Sequence, residues 1–362
     1  MGTEEYQVLY NSVIELAKGE EYRAHLLLSK IIEREINIEE DSDDLLIYLF
    51  AKSLMRRIDT GKTTKINLYL QSFEIPQIHL FNLLANSMSL ARIAGQISNQ
   101  LLAQSIVGKE SIALCNIGIG TGRQELALFQ ELQQRNQLPK RITIYAIEPS
   151  AESIGEAQRV IETAARRMNF DLIFYPFVST IEDLSEEHWQ FIEQREDPLI
   201  VNAAFSLHHI RDRVGEINTR NQIISKIHRL RPDKFVLCEP YSNHYTSDLH
   251  ERFLNCWHHF SLLFRLINEL ALTKEEKFSL KMFFSREIED ILGNSEEFRT
   301  EKHETGESWL KRFTVAGFVP CNDLANIDAF CDDIVECSEK NGFISLNYEG
   351  ESIVAILSMA PA

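Results

Sequence analysis

Five short apolar runs, separated by stretches of helical spacing, constrain the fold of this chain more than any other feature. The runs lie at residues 112–117, 142–147, 172–175, 199–203 and 235–239. Continuous apolar runs are typical of strands buried on both faces, and helices between such strands are the crossovers of a parallel sheet. The sequence therefore predicts an α/β fold with a Rossmann-like, mostly parallel sheet.

The end of the chain has a different pattern. Two apolar runs at 343–348 and 352–357 flank a turn at Gly350, which predicts an antiparallel hairpin. A parallel sheet that finishes with a hairpin and one antiparallel strand is the layout of class I S-adenosylmethionine-dependent methyltransferases. This layout makes S-adenosylmethionine the leading candidate for a cofactor.

The remaining segments predict an α-helical cap. Apolar residues recur at helical spacing through the first hundred residues, for example at Leu9 and Val13, and residues 246–292 are helical again. We expect residues 1–105 to form the N-terminal helices of the cap. We expect residues 106–362 to form the Rossmann-like methyltransferase core, with 246–292 as a helical insertion that joins the cap.

Charge argues against several classes of function. The chain carries 54 acidic and 37 basic side chains, a formal net charge of −17, whereas a protein that neutralises phosphates needs a basic surface. The sequence therefore argues against nucleic acid as a partner. The N-terminus lacks a signal-peptide layout, and no apolar run approaches the roughly 18 residues that a membrane span needs. We expect a cytoplasmic protein without a membrane contact.

The cysteines indicate a reducing compartment. None of the six belongs to a Cys-x-x-Cys pair, and Cys115 and Cys238 lie inside apolar runs, where a thiol acts as a small hydrophobe. The pattern fits neither a disulfide framework nor a zinc site. The histidines and aspartates have no convincing metal-ligand spacing either, so we expect no metal.

The first predicted strand runs directly into a glycine loop. Asn116 is followed by Gly118, Gly120 and Gly122, after which a helical pattern begins. Glycine lets the backbone turn tightly and approach a ligand closely, and a loop between a strand and a helix is the context that a nucleotide site requires. We assign these four residues to cofactor binding; the alternative is a simple tight turn.

Acidic residues follow the second and third strands. Glu148 ends the second strand, where a carboxylate can accept hydrogen bonds from the ribose hydroxyls of an adenosyl group. This position does not separate S-adenosylmethionine from NAD, but the loop lacks the third glycine of the dinucleotide fingerprint G-x-G-x-x-G. Asp183 or Glu182, after the third strand, can meet the adenine edge or, alternatively, cap the following helix. We assign Asp183 to the cofactor.

Polar residues also end the fourth strand. Asn202 lies at the end of the apolar run, and His208 and His209 follow it. Because ligands bind at the carboxyl ends of parallel strands, an imidazole here can act as a general base for a methyl acceptor, while its neighbour packs against the backbone. We assign Asn202 to the cofactor and both histidines to catalysis.

The fifth strand ends in the same way. Glu239 closes the run and is assigned to catalysis. Tyr241, Asn243 and His244 come next and are assigned to the acceptor. The alternative for these residues is loop chemistry without a ligand.

Motifs along nearly the whole chain resemble those of the GRAS family, from about residue 5 to residue 358. They are Phe73, Pro76, Phe81, Ala85 and Asn86 upstream; Asn202, Leu207 and His208, as in V-N-S-x-x-x-L-H, at the fourth strand; Glu239, Asn243 and His244 at the fifth; and Arg286, Glu287, Arg299, Glu301, His303, Trp309 and Gly317 near the end. The order of these motifs makes a chance match implausible.

The resemblance implies a methyltransferase-like fold with a helical cap. Plant members of the family are transcriptional regulators in which the methyltransferase glycines are degraded, whereas this chain keeps all three. The intact loop points toward the bacterial branch, which resembles working methyltransferases. If Arg286 and Glu287 face a cleft, they would orient a polar acceptor; alternatively, Arg286 pairs with Asp290 along a helix.

Two functions from different classes follow. The first is methyl transfer from S-adenosylmethionine to a small molecule. The second is a non-catalytic GRAS-like regulatory module that binds a protein partner or a small ligand. The intact glycines favour the enzyme, and the oligomeric state, a homodimer included, stays open.

Overall fold

The computed structural model of the chain describes residues 3–34, 43–60, 83–84, 87–211, 218–324, 327 and 332–362. Its helices are α1 Thr3–Ala17, α2 Glu21–Ile32, α3 Asp43–Thr60, α4 Ser89–Ile106, α5 Arg123–Gln134, α6 Ala151–Met168, α7 Glu186–Glu193, α8 Thr219–Arg229, α9 Leu249–Glu269, α10 Lys274–Ile288 and α11 Gly306–Val315. Its strands are β1 Ser111–Ile117, β2 Arg141–Ile147, β3 Asp171–Phe177, β4 Leu199–Ala204, β5 Lys234–Pro240, β6 Phe318–Pro320, β7 Glu336–Lys340, β8 Phe343–Tyr348 and β9 Glu351–Pro361. Within these described ranges, no helix is long and apolar enough to cross a membrane.

These elements fall into two units, which we call the helical unit and the sheet unit. The helical unit contains Met1–Met88 and Ser242–Glu304, and the sheet unit contains Ser89–Tyr241 and Thr305–Ala362. Helices α1 to α3 therefore share a unit with α9 and α10. Helix α4 differs from the sequence-based division at residue 105, because its buried face packs against β5, β9 and α5 of the sheet unit.

The sheet unit is built on nine strands in the order β3-β2-β1-β4-β5-β9-β8-β7, with β6 paired to β9. Strands β1 to β5 pair in parallel, and β9 is antiparallel to both β5 and β8. The predicted α/β fold with a Rossmann-like, mostly parallel sheet and a final hairpin is confirmed. The structure adds β7, which pairs antiparallel with β8, so β7 and β9 both run against the parallel strands.

The central strands form continuous apolar runs because helices cover both faces of the sheet. In β1 and β2 every residue after the first is buried. Ala113, Cys115 and Ile117 belong to a core that also contains Trp189 of α7 and Trp309 of α11. Helix α4 packs against β4, β5 and β9.

Side-chain caps fix where several helices begin. The Ser150 hydroxyl accepts the backbone N–H of Ser153 at 3.2 Å at the start of α6. The Thr305 hydroxyl accepts the N–H of Ser308 at 3.3 Å at the start of α11. Each cap satisfies a donor that has no partner inside its own helix, which is why serine and threonine occur at these positions.

An aromatic cluster joins α1, α3 and α9 in the helical unit. The ring centroids of Tyr6 and Trp257 are 4.8 Å apart, and those of Phe50 and Trp257 are 5.1 Å apart. Phe253 lies 5.8 Å from Phe50 by the same measure. Offset and edge-on contacts of this kind stabilise a core beyond simple burial. The upstream motif residues Phe73, Pro76, Phe81, Ala85 and Asn86 lie outside the described residues.

Candidate functional site

The first glycine of the loop permits close contact between two loops at the carboxyl edge of the sheet. Gly118 has a φ of +79°, and a Cβ added there would lie 2.7 Å from the Cβ of Ser206. The Ser206 hydroxyl in turn donates to the carbonyl of Ile117 at 2.7 Å. A side chain at Gly118 would therefore push the loops after β1 and β4 apart.

The other two glycines serve different purposes. Gly122 has a φ of +73°, and an added Cβ would meet Ala157 of α6 at 3.1 Å, so this glycine allows two helices to pack closely. Gly120 has a φ of +54°, yet nothing lies within 4 Å of the position of its Cβ. The structure thus leaves open space above the middle of the loop, where a ligand could approach the backbone.

Glu148, which the sequence assigns to the cofactor ribose, lies beside this open space. Its half-buried carboxylate accepts the N–H of Gly120 at 3.2 Å and the N–H of Ser150 at 3.0 Å. Burial raises the pKa of Glu148, and these two N–H groups partly oppose that effect. The loop and the acid that were assigned to one cofactor therefore lie within hydrogen-bond distance of each other.

Asn116 and Asn202 are neighbours across β1 and β4, because they are register partners in the parallel pair. The Asn116 amide donates to the carboxylate of Glu125, and the Asn202 amide donates to the side-chain oxygen of Gln124 at 3.1 Å. Both amides are thus bound to the first turn of α5. Their direct contact with a cofactor stays a prediction.

Asp183 stays a prediction as well. It is exposed in the turn after β3, where its carboxylate accepts the hydroxyl of Thr180 at 3.1 Å. The neighbouring Glu182 is buried and accepts the N–H of Arg211 at 3.4 Å. Asp183 and Glu182, the two candidates for contact with the adenine edge, therefore differ in exposure. The hydrogen bond of Glu182 also connects the loops after β3 and β4.

Glu239 organises the loop that follows β4. One of its carboxylate oxygens accepts the N–H of Ser206 at 3.1 Å and the N–H of Leu207 at 2.7 Å. The other accepts Nδ1–H of His208. Although burial raises the pKa of Glu239, the His208 ring and the Leu207 N–H outweigh it and lower the pKa. A fully buried carboxylate with these partners orients His208 and does not face an acceptor itself.

The two histidines occupy a short 3₁₀ turn, Leu207–His209. Their ring centroids are 3.8 Å apart, with His208 buried and His209 half-buried. The Arg220 guanidinium donates to the His208 carbonyl at 2.5 Å. Phe205, just before the turn, has a φ of +52°. Such backbone strain at a bulky residue is concentrated at functional sites.

Tyr241 has a defined partner at the end of β5. Its hydroxyl donates to the carboxylate of Glu307 at 2.9 Å, and its backbone N–H donates to the carbonyl of Ile353 at 2.6 Å. Burial and the Glu307 carboxylate raise the pKa of Tyr241 to about 12. The side chain therefore keeps its proton at neutral pH.

The other residues assigned to the acceptor belong to the helical unit. The Asn243 amide donates to Glu251 at 3.2 Å. His244 is fully buried, with one ring nitrogen 2.9 Å from the Ser242 hydroxyl and the other 3.0 Å from Nδ1 of His303. Burial lowers the pKa of His244 well below its ordinary value, and the adjacent His303 ring adds to the effect. His244 is thus neutral at physiological pH.

Arg286 and Glu287 follow each other near the end of α10, where Arg286 is half-buried and Glu287 is buried. Glu287, Glu301 and His303 each place a potential metal-ligand atom within 4.8 Å of the others. The sequence missed this convergence because Glu287 comes from a helix, while Glu301 and His303 lie two positions apart on an extended segment.

Sequence reasoning also missed Glu125. This residue occupies the apolar stripe of α5, at helical spacing from Leu128, Phe129 and Leu132, and is buried with them. A carboxylate in a buried stripe is rare unless it has a partner, and that rule was the available signal.

Asp290 anchors the extended segment that carries Glu301 and His303. Its carboxylate accepts the N–H groups of Thr300 at 2.8 Å and Glu301 at 2.7 Å, and the amide of Asn294 at 2.7 Å. Burial and the nearby Glu301 raise the pKa of Asp290 to about 6. The folded protein therefore binds this proton more tightly than the unfolded chain does.

The resulting pH dependence is testable. Stability should fall as pH rises from about 4 to about 6, because the folded state retains a proton that the unfolded state loses near its ordinary pKa of about 3.9. In Asp290→Asn, which cannot titrate, the fall in the free energy of unfolding over this pH range should be smaller by about 3 kcal/mol, because each unit of pKa change corresponds to about 1.36 kcal/mol. Urea unfolding at pH 4, 5, 6 and 7 measures it. Asp248→Asn, an exposed helix cap in the same unit, is the control and should keep the wild-type slope. An unchanged slope in Asp290→Asn would contradict the assignment.

The sheet order and the glycine loop define an α/β protein with a Rossmann-like, mostly parallel sheet. The sequence profile of the GRAS domain family matches residues 6–354, and the chain belongs to that family.

Curated relatives agree with this membership. DELLA protein 2 of Medicago truncatula is 25% identical over 249 residues, covering 67% of this chain and 45% of that protein. DELLA protein RGL1 of Arabidopsis thaliana is 26% identical over 279 residues, covering 76% and 52% respectively. The chain spans about half the length of the curated relatives it matches. The crystal structure of SCL7 from Oryza sativa has the same fold, with a TM-score of 0.79, 19% identity and coverage of 98% of this chain and 99% of that one.

Proposed function

We propose that this GRAS-family protein is an S-adenosylmethionine-dependent methyltransferase that acts on a small molecule. The observation that carries the proposal is the open space above Gly120, with the Glu148 carboxylate at its edge. Open space beside a left-handed glycine also occurs at Gly108, so the position of Gly120 is what matters: it lies at the carboxyl end of β1, where ligands bind to parallel sheets, with a carboxylate on its backbone N–H.

The residues at this edge fit an adenosyl cofactor with a charged amino-acid end. Glu148 is placed to accept ribose hydroxyls, and the loop can approach the ligand with its backbone. The antiparallel β9 beside β5 favours S-adenosylmethionine over NAD, as does the absence of a third dinucleotide glycine. When bound, the cofactor supplies a sulfonium-activated methyl group, so the protein mainly has to position the acceptor.

His208 is the residue best placed to move a proton. In the neutral ring, an Nδ1–H donated to Glu239 places the lone pair on Nε2. We assign His208 as the general base for a methyl acceptor that carries a hydroxyl or ammonium group. His209, next to it, would line the binding site of the acceptor. Glu239 is the group that orients His208.

The partners and the cellular setting are part of the same proposal. We propose a small-molecule acceptor and a cytoplasmic protein that engages neither membrane nor nucleic acid, in keeping with the net charge of −17. We also propose that the chain belongs to the bacterial branch of the family, because Gly118, Gly120 and Gly122 are intact. A homodimer is a further proposal.

A thermal-shift screen with S-adenosylmethionine, S-adenosylhomocysteine and NAD tests the proposal. A ligand that binds only the native state at 100 times its Kd adds about 2.7 kcal/mol of stability, so both adenosyl sulfur compounds should raise Tm. NAD should leave Tm unchanged. A shift with NAD alone would point to a dinucleotide enzyme instead.

Glu148→Ala should weaken S-adenosylhomocysteine binding by about 10- to 100-fold, the range for lost hydrogen bonds to a charged group. Titration calorimetry measures it, with Glu152→Ala as the control, because Glu152 is exposed on the adjacent α6. Wild-type affinity in a folded Glu148→Ala variant would remove Glu148 from the site.

Family membership favours a second function, a regulatory module that binds a ligand or protein without turnover. One measurement distinguishes the methyltransferase from the regulatory module. Incubation of the protein and candidate acceptors with methyl-labelled S-adenosylmethionine gives labelled product only if the protein is an enzyme. Binding without label transfer across a broad acceptor panel supports the regulatory module.

A further inference from the structure

A side-chain hydrogen bond closes the base of the glycine loop. Asn116 lies two residues before Gly118, Glu125 lies three residues after Gly122, and the Asn116 amide donates to the Glu125 carboxylate. Both side chains are 2% exposed or less. The pair therefore holds the end of β1 against the first turn of α5, and the loop is the chain between these two fixed points.

The bond belongs to a buried polar network. Asn202 donates to the Gln124 side chain at 3.1 Å, and Asn99 of α4 donates to the Gln124 backbone carbonyl at 3.2 Å. Four buried atoms of this network have no hydrogen-bond partner among the described residues: Glu125 Oε2, Gln124 Nε2, Asn202 Oδ1 and Asn99 Oδ1. A buried polar group without a hydrogen bond lowers stability, and such groups are concentrated at functional sites.

Glu125 titrates in the physiological range. Burial raises its pKa to about 7, while a backbone N–H and the Asn116 amide partly oppose the rise. On the helices packed against α5, Arg92 of α4 pairs with Asp332, and Glu156 of α6 pairs with Arg159. None of these groups contributes to the pKa of Glu125.

We propose that Glu125 is a proton-linked positioning residue, which holds the glycine loop through Asn116 and favours the positively charged cofactor when it is ionised. This inference rests on the proposed function. According to this inference, pH changes the affinity of the site for its cofactor through the ionisation of Glu125. Glu125 does not contact the methyl acceptor.

The direction of the pH effect follows from charge. S-adenosylmethionine carries a sulfonium, an ammonium and one carboxylate, for a net charge of +1, whereas S-adenosylhomocysteine lacks the sulfonium and is neutral overall. An ionised Glu125 attracts the first more than the second. By reciprocity, binding of S-adenosylmethionine lowers the pKa of Glu125, so affinity rises as pH passes upward through about 7.

Titration calorimetry on the full chain at pH 6, 7 and 8 tests the inference with both ligands. A drop of half to one pKa unit on binding, from a free value of about 7, corresponds to about a 2.5- to 5-fold gain in affinity for S-adenosylmethionine between pH 6 and pH 8. S-adenosylhomocysteine should gain less than about twofold. Glu125→Gln keeps an acceptor for Asn116 but cannot titrate, so it should lose the difference between the ligands. Glu131→Gln, on the same helix and half-buried, should keep it.

A third variant separates positioning from simple stability. Glu125→Leu removes the acceptor, so it should weaken both ligands at every pH by about tenfold and speed hydrogen exchange at the amides of residues 118–122, measured without ligand. Glu125→Gln should restore the slow exchange. A pH dependence that persists in Glu125→Gln, or unchanged exchange in Glu125→Leu, overturns the inference and leaves the proposed function standing. Wild-type protein that binds neither ligand overturns both.

Discussion

Valine in place of Gly120 is expected to weaken binding of S-adenosylmethionine and S-adenosylhomocysteine by about 100-fold or more, equivalent to about 2.7 kcal/mol. The space beside Gly120 is empty, so the new side chain would meet no protein atom within 4 Å at its Cβ. It would instead fill the volume that the ligand needs. The expected loss of affinity therefore comes from the occupied ligand volume, and the cost to folding is limited to that of the left-handed backbone.

Gly108→Val is the matched control. Gly108 also has a left-handed backbone, with a φ of +79°, and also has no atom within 4 Å of its Cβ position, but it precedes β1 at the opposite end of the strand. Both substitutions carry the same backbone penalty of about 1–2 kcal/mol. Calorimetric titration should show normal affinity for Gly108→Val and an affinity lower by about 100-fold or more for Gly120→Val, at similar Tm. Equal affinity in the two variants would mean that the space above the loop holds no cofactor.

Alanine in place of Trp309 is expected to destabilise the sheet unit by about 3–5 kcal/mol, the range for a large aromatic removed from a core. Trp309 is fully buried in the core formed with β1, β5 and the surrounding helices. The Arg220 guanidinium lies 5.2 Å from its ring centroid and holds the His208 carbonyl. Loss of the ring should therefore also loosen the turn that carries His208.

Urea unfolding followed by circular dichroism measures this effect. Val315→Ala is the control, because Val315 lies on the same helix with 74% of its surface exposed and should change the free energy of unfolding by less than about 0.5 kcal/mol. Trp309→Phe should lie between the two, since it keeps much of the apolar volume. Equal midpoints for Trp309→Ala and Val315→Ala would contradict a core role.

Much of this molecule could be predicted from local patterns in the chain. The five apolar runs correspond to β1 to β5, and the last two correspond to β8 and β9. Burial on both faces leaves a continuous apolar signature in β1, β2, β4 and β5, whereas most residues of the edge strand β3 are exposed or half-buried. The positions of Gly118, Gly120 and Gly122 in the sequence also predicted a tight loop after β1, since they depend on local backbone conformation. A left-handed φ is a property of one residue, and glycine is the residue that adopts it at little cost.

The division into units was less predictable. Helix α4 has the same apolar spacing as the helices before it, and spacing does not reveal which surface covers an apolar stripe. Packing against β5, β9 and α5 placed it with the sheet. The same holds for β7, whose half-exposed residues lack an apolar run and whose pairing depends on β8.

The roles of polar residues needed the folded chain. Glu239 was assigned to catalysis from its place at the end of a strand, but its three bonds reach residues more than 30 positions away and make it the orienting partner of His208. Glu125 received no role from the sequence, although its bond to Asn116 closes the loop. Backbone conformation and apolar periodicity are local properties that can be read along the chain. Hydrogen-bond partners and pKa values depend on which distant groups share a water-free volume, and that is fixed when the elements pack.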